Sequence, residues 1–322
     1  MNREFEHQIR QLPKAELHVH LEGSIGIRTL NRLRGRRGKG PLKKSPYAFN
    51  NFGEFNAVFL LISEYLKDEE DFHIMAADFV AGQAAQNIRY TEASFMPLFH
   101  VFQGAPAQAL FHGIESGLAE GEKQHGTAVR LICSIPRTAG ADAGKQTLDL
   151  ILEHRTERIV GIDLAGTETE NDMAPFGRTF RRAGELGLRR VAHAGEFASP
   201  KQIEQALDIL GAERIGHGIS LVQNPKLADR VAKANIPLEI SPTSNVRLKA
   251  VSSLKSHPVR RLFEMGVPIV INTDDPAFFN TTLIRELGML RDHFQFGEKE
   301  IRGLIDNAFK YSFMKADEKK AA

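Results

Sequence analysis

Histidines and carboxylates stand at short, regular spacings in four places along the sequence. The first is KAELHVHLEGS (14–24), in which His18, His20 and Glu22 occupy alternate positions. Side chains two residues apart in a β-strand project from the same face of that strand. If residues 15–21 form a strand, the two imidazoles converge on one point, and Glu22 follows on the same side.

Three motifs of the same kind follow later in the chain. HAGE contains His193 and Glu196, RIGHG contains His217, and NTDDP contains Asp274 and Asp275. Each motif ends a short apolar run that has the composition of a β-strand. Because the carboxyl ends of the strands in a parallel barrel meet at one rim, we expect these side chains to surround a single pocket.

The elements that must position these residues are eight short β-rich runs, which alternate with amphipathic, helix-like segments. This alternation predicts a parallel α/β sheet, and eight strands favour a (β/α)8 TIM-type barrel over an open doubly wound sheet. The chain has no internal repeat and no low-complexity linker, so we expect a single domain over residues 1–322. The strand-like runs span residues 15–21, 88–96, 129–135, 159–165, 189–194, 214–218, 236–241 and 267–273.

The connection between the first two predicted strands is much longer than the others. We predict that it forms a helical insertion, residues 31–87, which covers the pocket as a lid. It carries four phenylalanines at spacings near one helical turn, and these fit either core packing or a wall of the substrate pocket. They are Phe49, Phe52, Phe55 and Phe59.

We expect the strand-end residues to supply the ligands of a catalytic metal site. Such a zinc site uses imidazole and carboxylate ligands and leaves one position for water. Iron, cobalt or manganese suits the same ligands, but hydrolytic chemistry needs no redox metal and favours zinc. We predict one Zn²⁺ per chain, and Glu196, His217 and Asp275 remain beside the expected hydroxide nucleophile. The predicted ligands are His18, His20, His193 and Asp274.

In combination, these motifs resemble the adenosine deaminase family of the amidohydrolase superfamily. The resemblance covers nearly the whole chain through LPKAELHVHLEGS, YTEASFMP, GIDLAG, HAGE, RIGHG, SPTSN and NTDDP, in the order that the family has them. It implies a barrel with one zinc ion, and an aminohydrolase that acts on a C–N bond of a cyclic amidine. The expected reaction is the hydrolytic release of ammonia from a 6-aminopurine.

The resemblance implies a catalytic role for three residues. Glu196 would protonate N1 of the purine, His217 would orient the attacking hydroxide, and Asp274 would act in catalysis as well as bind the metal. Adding hydroxide to C6 breaks the ring conjugation, and the displaced electrons need a proton at N1. Glu196 must therefore be protonated near neutrality, and we expect burial and nearby negative charge to raise its pKa.

The resemblance also implies the substrate contacts. Asp275 would hydrogen-bond N7, the backbone N–H of Gly166 would meet N3, and His20 and Glu22 would face the substrate. Glu22 departs from typical adenosine deaminases, which have aspartate after HxHL, and the longer side chain crowds the usual position of the ribose 5′-hydroxyl. The substrate is therefore expected to be adenosine or a 5′-modified adenosine such as aminodeoxyfutalosine or methylthioadenosine, with adenine as the alternative.

Composition narrows the possible partners and surroundings. The formal net charge is +2, from 42 basic and 40 acidic residues, which indicates no nucleic-acid partner. No run reaches the roughly 18 apolar residues that span a membrane. A single cysteine, Cys133, excludes a disulfide framework and favours a cytoplasmic location. Another amidohydrolase reaction and a non-catalytic purine-binding protein stay open as alternatives, and the sequence does not indicate an oligomeric state.

Overall fold

A computed structural model describes residues 3–315 and 318–319. Its centre is an eight-stranded sheet in which every strand pairs in parallel with the next along the chain. The ring closes where Val19 bridges Asp274 in parallel. The predicted (β/α)8 barrel is confirmed. The strands are β1 (Lys14–His20), β2 (Ile88–Phe95), β3 (Ala128–Pro136), β4 (Ile159–Ala165), β5 (Arg189–Ala194), β6 (Arg214–His217), β7 (Leu238–Ile240) and β8 (Ile269–Ile271).

The strands are recognisable in the sequence because both faces of a parallel barrel are covered, so their residues are apolar with little alternation. In β4, every residue except the half-buried Val160 is buried. β7 and β8 are shorter than expected. β7 ends before Pro242, which lacks the N–H that a further ladder bond needs, and the chain beyond β8 turns away at Asp274, whose φ is +65°.

Helices surround the barrel and follow the strands in the order expected for repeated β–α units. Local side chains cap some of their ends; α4, for example, starts with a capping box between Asp68 and Asp71. The helices are α1 (Arg3–Gln11), α2 (Ile27–Arg36), α3 (Phe52–Ser63), α4 (Glu69–Ala84), α5 (Pro97–Phe102), α6 (Ala107–His125), α7 (Ala141–Glu153), α8 (Gly177–Glu185), α9 (Pro200–Asp208), α10 (Pro225–Lys233), α11 (Pro242–Arg247), α12 (Val259–Glu264), α13 (Pro276–Phe279), α14 (Leu283–Phe294) and α15 (Glu298–Tyr311).

The segment between β1 and β2 contains α2, α3 and α4. Of these, α4 packs along α6 in the outer layer of helices. α3 instead faces the mouth of the barrel, where Phe52, Phe55 and Phe59 line a cavity. The action of residues 31–87 as a lid stays a prediction, as does the single-domain organisation. In the part of the chain that the structure describes, no helix combines the length and the apolar character needed to cross a bilayer.

Candidate metal centre and active site

The two histidines of β1 point into the barrel mouth, as the strand periodicity predicts. His18 is buried, and Oε2 of Glu239 lies 2.8 Å from its Nδ1 atom. Its other ring nitrogen, Nε2, is buried without a hydrogen-bond partner and lies 3.4 Å from Oδ1 of Asp274. Nε2 of His20 lies 3.2 Å from the same carboxylate oxygen. Both imidazoles therefore converge on Asp274.

His193 reaches this point from β5. Its Nδ1 atom lies 2.9 Å from Oδ2 of Asp163 on β4. Its other ring nitrogen, Nε2, therefore remains available as a ligand atom for a metal ion. Burial opposes ionisation of Asp163, but the adjacent His193 outweighs it and lowers the pKa of this carboxyl to about 2. The negative Asp163 thus favours a proton on Nδ1 and a free lone pair on Nε2, the state in which imidazole binds a metal ion.

Asp274 is held rigidly at the seam between β8 and β1. Its backbone N–H donates to the carbonyl of His18, and its own carbonyl accepts from the N–H of His20. Oγ of Ser244 donates to Oδ2 of Asp274 at 2.6 Å. Asp274 and His217 both have left-handed backbone conformations, with φ of +65° and +59°. Such strain in residues with side chains concentrates at functional sites.

The predicted ligands come together in two overlapping clusters. In each cluster, one potential ligand atom per residue lies within 4.8 Å of all the others. Three of the four predicted ligands share the first cluster with His217, and His20 belongs to the second. The unpartnered Nε2 of His18 and the mixed imidazole–carboxylate set fit a metal ion such as zinc. The clusters are His18, His193, His217 and Asp274, and His20, Asp274 and Asp275.

Glu196, which lies beside the clusters, and His217, which belongs to the first of them, share one hydrogen-bond donor. Nδ2 of Asn245 lies 3.0 Å from Oε1 of Glu196 and 3.1 Å from Nδ1 of His217. Nε2 of His257 lies 3.1 Å from Oδ1 of Asn245 and so fixes the direction of that amide. Because Nδ1 of His217 accepts a hydrogen bond, its proton resides on Nε2, which faces Asp274 at 4.0 Å.

Burial and neighbouring charge set the protonation states of these groups. Burial, with the negative charges of Asp274 and Glu168, raises the pKa of Glu196 well above its usual value. Burial also lowers the pKa of His217 far below its usual value, so the imidazole is neutral. The expectation that Glu196 holds a proton near neutrality therefore agrees with its surroundings.

A cavity of about 100 Å³ opens beside the clusters. Glu22 lines it, and Oε1 of this residue accepts from the backbone N–H of Met96 at 3.0 Å and lies 2.9 Å from Nε2 of His100. Asp275 packs against Gly23, where a Cβ atom would lie only 1.9 Å from Oδ1 of Asp275. The lining residues are His20, Glu22, Phe52, Phe55, Asn56, Phe59, Met96, Ala165, Gly166, His193, Glu196, His217, Leu248, Asp274 and Asp275.

All predicted site residues lie in or directly beside this cavity, while their individual roles stay predictions. Several supporting residues escaped the sequence analysis. Glu239 left a usable signal, since it is a lone carboxylate inside the apolar run IPLEIS (236–241), and such a charge is buried only when it is paired. Glu168 and His100 left none, because each lies in a segment where polar residues are ordinary.

The barrel and its buried imidazole–carboxylate centre define a class of metal-dependent hydrolases, and comparison with known proteins identifies the family. The family model described as adenosine deaminase matches residues 13–322. The chain belongs to the adenosine deaminase family. The prediction of a deaminase that hydrolyses a C–N bond of an aminopurine is thereby confirmed.

Two curated relatives cover almost the entire chain. An adenine deaminase of Cupriavidus taiwanensis is 34% identical over 97% of this chain and 90% of its own length. An aminodeoxyfutalosine deaminase of Streptomyces avermitilis is 35% identical over 96% of this chain and 88% of its own. This chain is about equally similar to two proteins that are named for different substrates. What the two have in common is the reaction class, deamination.

Solved structures agree with the fold throughout. The adenine deaminase from Arthrobacter aurescens has a TM-score of 0.90 and 31% identity, covering 96% of both chains. An amidohydrolase from Burkholderia ambifaria with bound zinc has a TM-score of 0.91 and 26% identity, covering 100% of this chain and 91% of its own. An Arabidopsis protein, ADAL, complexed with IMP has a TM-score of 0.85 and 26% identity, covering 98% of this chain and 96% of its own.

Proposed function

We propose that this protein catalyses the zinc-dependent hydrolytic deamination of a 6-aminopurine nucleoside, with adenosine or a 5′-modified adenosine such as aminodeoxyfutalosine as substrate. The products are the 6-oxopurine and ammonia. The observation that carries the proposal is that a buried Glu196 with a raised pKa shares one small cavity with a cluster of imidazole and carboxylate ligand atoms.

One zinc ion would be held by the predicted ligand set. When bound, the ion would lower the pKa of water enough to provide hydroxide at neutral pH. The unpartnered Nε2 of His18 supports this role, as do the carboxylates behind two of the imidazoles, Glu239 and Asp163. The zinc-bound Burkholderia ambifaria structure supports the choice of metal. The proposed ligands are His18, His20, His193 and Asp274.

The residues of the chain would manage the protons and the orientation of the purine. As hydroxide adds to C6, the electron pair of the C6–N1 double bond moves to N1 and takes the proton of Glu196. The neutral His217 would hold the hydroxide on the correct side of C6. The tetrahedral carbon then collapses, the C6–N6 bond breaks, and the amino group leaves as ammonia after receiving a proton from the attacking hydroxyl.

The contacts to the ring would fix which face and edge of the purine enter. The carboxyl of Asp275 would bond N7, and the N–H of Gly166, at the end of β4, would bond N3. Gly166 has a φ of +101°, a conformation open to glycine that leaves its backbone exposed to the cavity. The phenylalanines of α3 would cover the ring and exclude water, which strengthens these polar contacts.

A second candidate substrate is adenine. A cavity needs roughly 10–15 Å³ to hold one water molecule, so the cavity of about 100 Å³ has room for about seven to ten waters, which is close to the ten non-hydrogen atoms of adenine. A nucleoside would place its ribose beside Glu22 and would need room beyond this volume. The adenine deaminases among the relatives also favour this candidate.

The test is ammonia release by the purified, zinc-loaded protein from adenosine, aminodeoxyfutalosine, methylthioadenosine and adenine. We expect turnover of at least one nucleoside, with loss of activity after chelation and recovery on adding zinc. Turnover of adenine alone would replace the nucleoside by the base. The proposal fails if none of the four is deaminated, or if the chelated, metal-free protein remains fully active.

A further inference from the structure

Glu168, in the loop between β4 and α8, accepts hydrogen bonds from four consecutive backbone N–H groups. The donors are those of residues 195–198, which follow β5 and contain Glu196. Oε2 alone accepts from Glu196 at 2.8 Å, Phe197 at 2.7 Å and Ala198 at 3.1 Å. Only 8% of Glu168 is exposed, so these bonds are shielded from water.

The backbone of the loop is shaped for this contact. Gly195 has a φ of +72°, and a Cβ atom there would lie 2.5 Å from Oγ of Ser220. A left-handed residue in a turn directs successive N–H groups to one side and forms a concave site for an anion. Here the chain fills that site with its own carboxylate. Orientation of the turn therefore depends on Glu168.

Glu168 also links the two loops that carry the proposed contacts to N1 and N3 of the purine. It lies two residues after Gly166, whose N–H is the proposed partner of N3, and it holds the backbone of Glu196, the proposed proton donor to N1. A half-buried cation supports the arrangement. The guanidinium of Arg137 donates to the carbonyl of His193 and is attracted to the carboxylates of Glu168 and Asp163.

We propose that Glu168 is a positioning residue, which sets the distance between the N–H of Gly166 and the carboxyl of Glu196. This inference rests on the proposed function. Glu168 lies behind the loop and acts through the backbone that it holds. Misplacing a reacting group by about 1 Å costs on the order of 100-fold in rate, so the effect of losing this contact falls on kcat.

The test compares Glu168→Gln with Glu170→Gln. Glu170 is the matched control because it is exposed, lies on the same loop, and bonds the next residue of the partner loop, Ser199, at 2.7 Å. In Glu168→Gln, an NH₂ group replaces one of the two accepting oxygens. It faces backbone N–H groups, which then have no acceptor. We expect about 100-fold lower kcat with KM changed less than threefold and zinc content unchanged. The control should retain wild-type kcat.

Two further measurements separate positioning from general destabilisation. Amide hydrogen exchange of residues 195–198 should accelerate in Glu168→Gln, with the strands of the barrel unaffected. In a double-mutant cycle with Glu196→Gln, the double variant should be no slower than Glu196→Gln alone, because Glu168 acts through Glu196.

The opposite results overturn the inference. The inference is wrong if amide hydrogen exchange of residues 195–198 is the same in Glu168→Gln as in the wild-type protein, or if kcat is the same. It is also wrong if the losses in kcat of the two single variants multiply in the double variant. Failure of the wild-type protein to deaminate any of the four purines would refute the proposed function instead, and the exchange comparison would still decide whether Glu168 holds the loop.

Discussion

Oε2 of Glu239 lies 2.8 Å from Nδ1 of His18, although 221 positions separate the two residues. The carboxylate is fixed from its other side by Arg214, which also pairs with Glu92 at 2.6 Å, and all four side chains are buried. A carboxylate that accepts from Nδ1 holds the imidazole in the tautomer whose Nε2 can bind a metal, and it increases the basicity of that nitrogen.

Glu239→Gln should weaken zinc binding about 10- to 100-fold, because the amide cannot accept from both His18 and Arg214. Competition with a chromophoric chelator measures the affinity. The control is Glu204→Gln, an exposed position on α9, which should bind zinc as the wild-type protein does. Equal affinities in the two variants would show that Glu239 does not support His18.

Glu196→Gln should reduce kcat by about 100- to 10,000-fold, the usual contribution of a general acid, since the amide has no acidic proton for N1. Zinc content should be unchanged, because Glu196 is outside the proposed ligand set. Steady-state ammonia release and elemental analysis measure the two quantities, again with Glu204→Gln as control. Near-normal turnover of Glu196→Gln would remove this residue from the mechanism.

Glu22→Asp should change substrate preference in favour of unsubstituted adenosine over 5′-substituted nucleosides. The side chain of aspartate is one methylene shorter. Its carboxylate either keeps its bonds to His100 and Met96 and leaves the cavity, or loses those bonds, and in both cases the space available to the ribose 5′-group changes. We expect the ratio of kcat/KM values to shift about tenfold, the size of one small contact. Glu64→Asp, at the exposed end of α3, is the control. If Glu22→Asp leaves the ratio as it is, Glu22 does not determine specificity.

Glu286 makes stability depend on pH. Burial raises the pKa of its carboxyl from 4.5 to about 7. A group that binds its proton more tightly in the folded state contributes full stability below about pH 4.5 and loses it as pH rises through 7. In Glu286→Gln the amide replaces the protonated acid and keeps the acceptor for the N–H of Thr243, 3.1 Å away.

Glu286→Gln should therefore match the wild-type protein at pH 4.5 and exceed its free energy of unfolding at pH 8 by up to about 3 kcal/mol. Chemical denaturation at both pH values measures the difference. Glu204→Gln should follow the wild-type pH dependence. A Glu286→Gln variant that keeps the wild-type decline between pH 4.5 and 8 would contradict the assignment.

The barrel and the residues at its mouth could be predicted from the sequence because their signals are local. A strand covered on both faces is an apolar run wherever it occurs, and its carboxyl end is directly visible as HVH, HAGE, GHG or TDD. The supporting contacts depend on distances across the sheet. Glu168 lies in GTETEND (166–172), where nothing in the sequence distinguishes the buried carboxylate from the exposed Glu170. The hydrogen bonds that Glu168 accepts from residues 195–198 become apparent only when the fold places β5 beside β4.

The seam between β1 and β8 has a consequence for biosynthesis. His18 and His20 leave the ribosome early, but the backbone bonds that orient them against Asp274 need a segment made more than two hundred residues later. Any cation captured by the nascent chain would meet an incomplete set of donors. If the proposed ligands hold the metal, its stable uptake would wait until translation has passed Asp274 and the ring of strands has joined, which would make metal loading a late step in maturation.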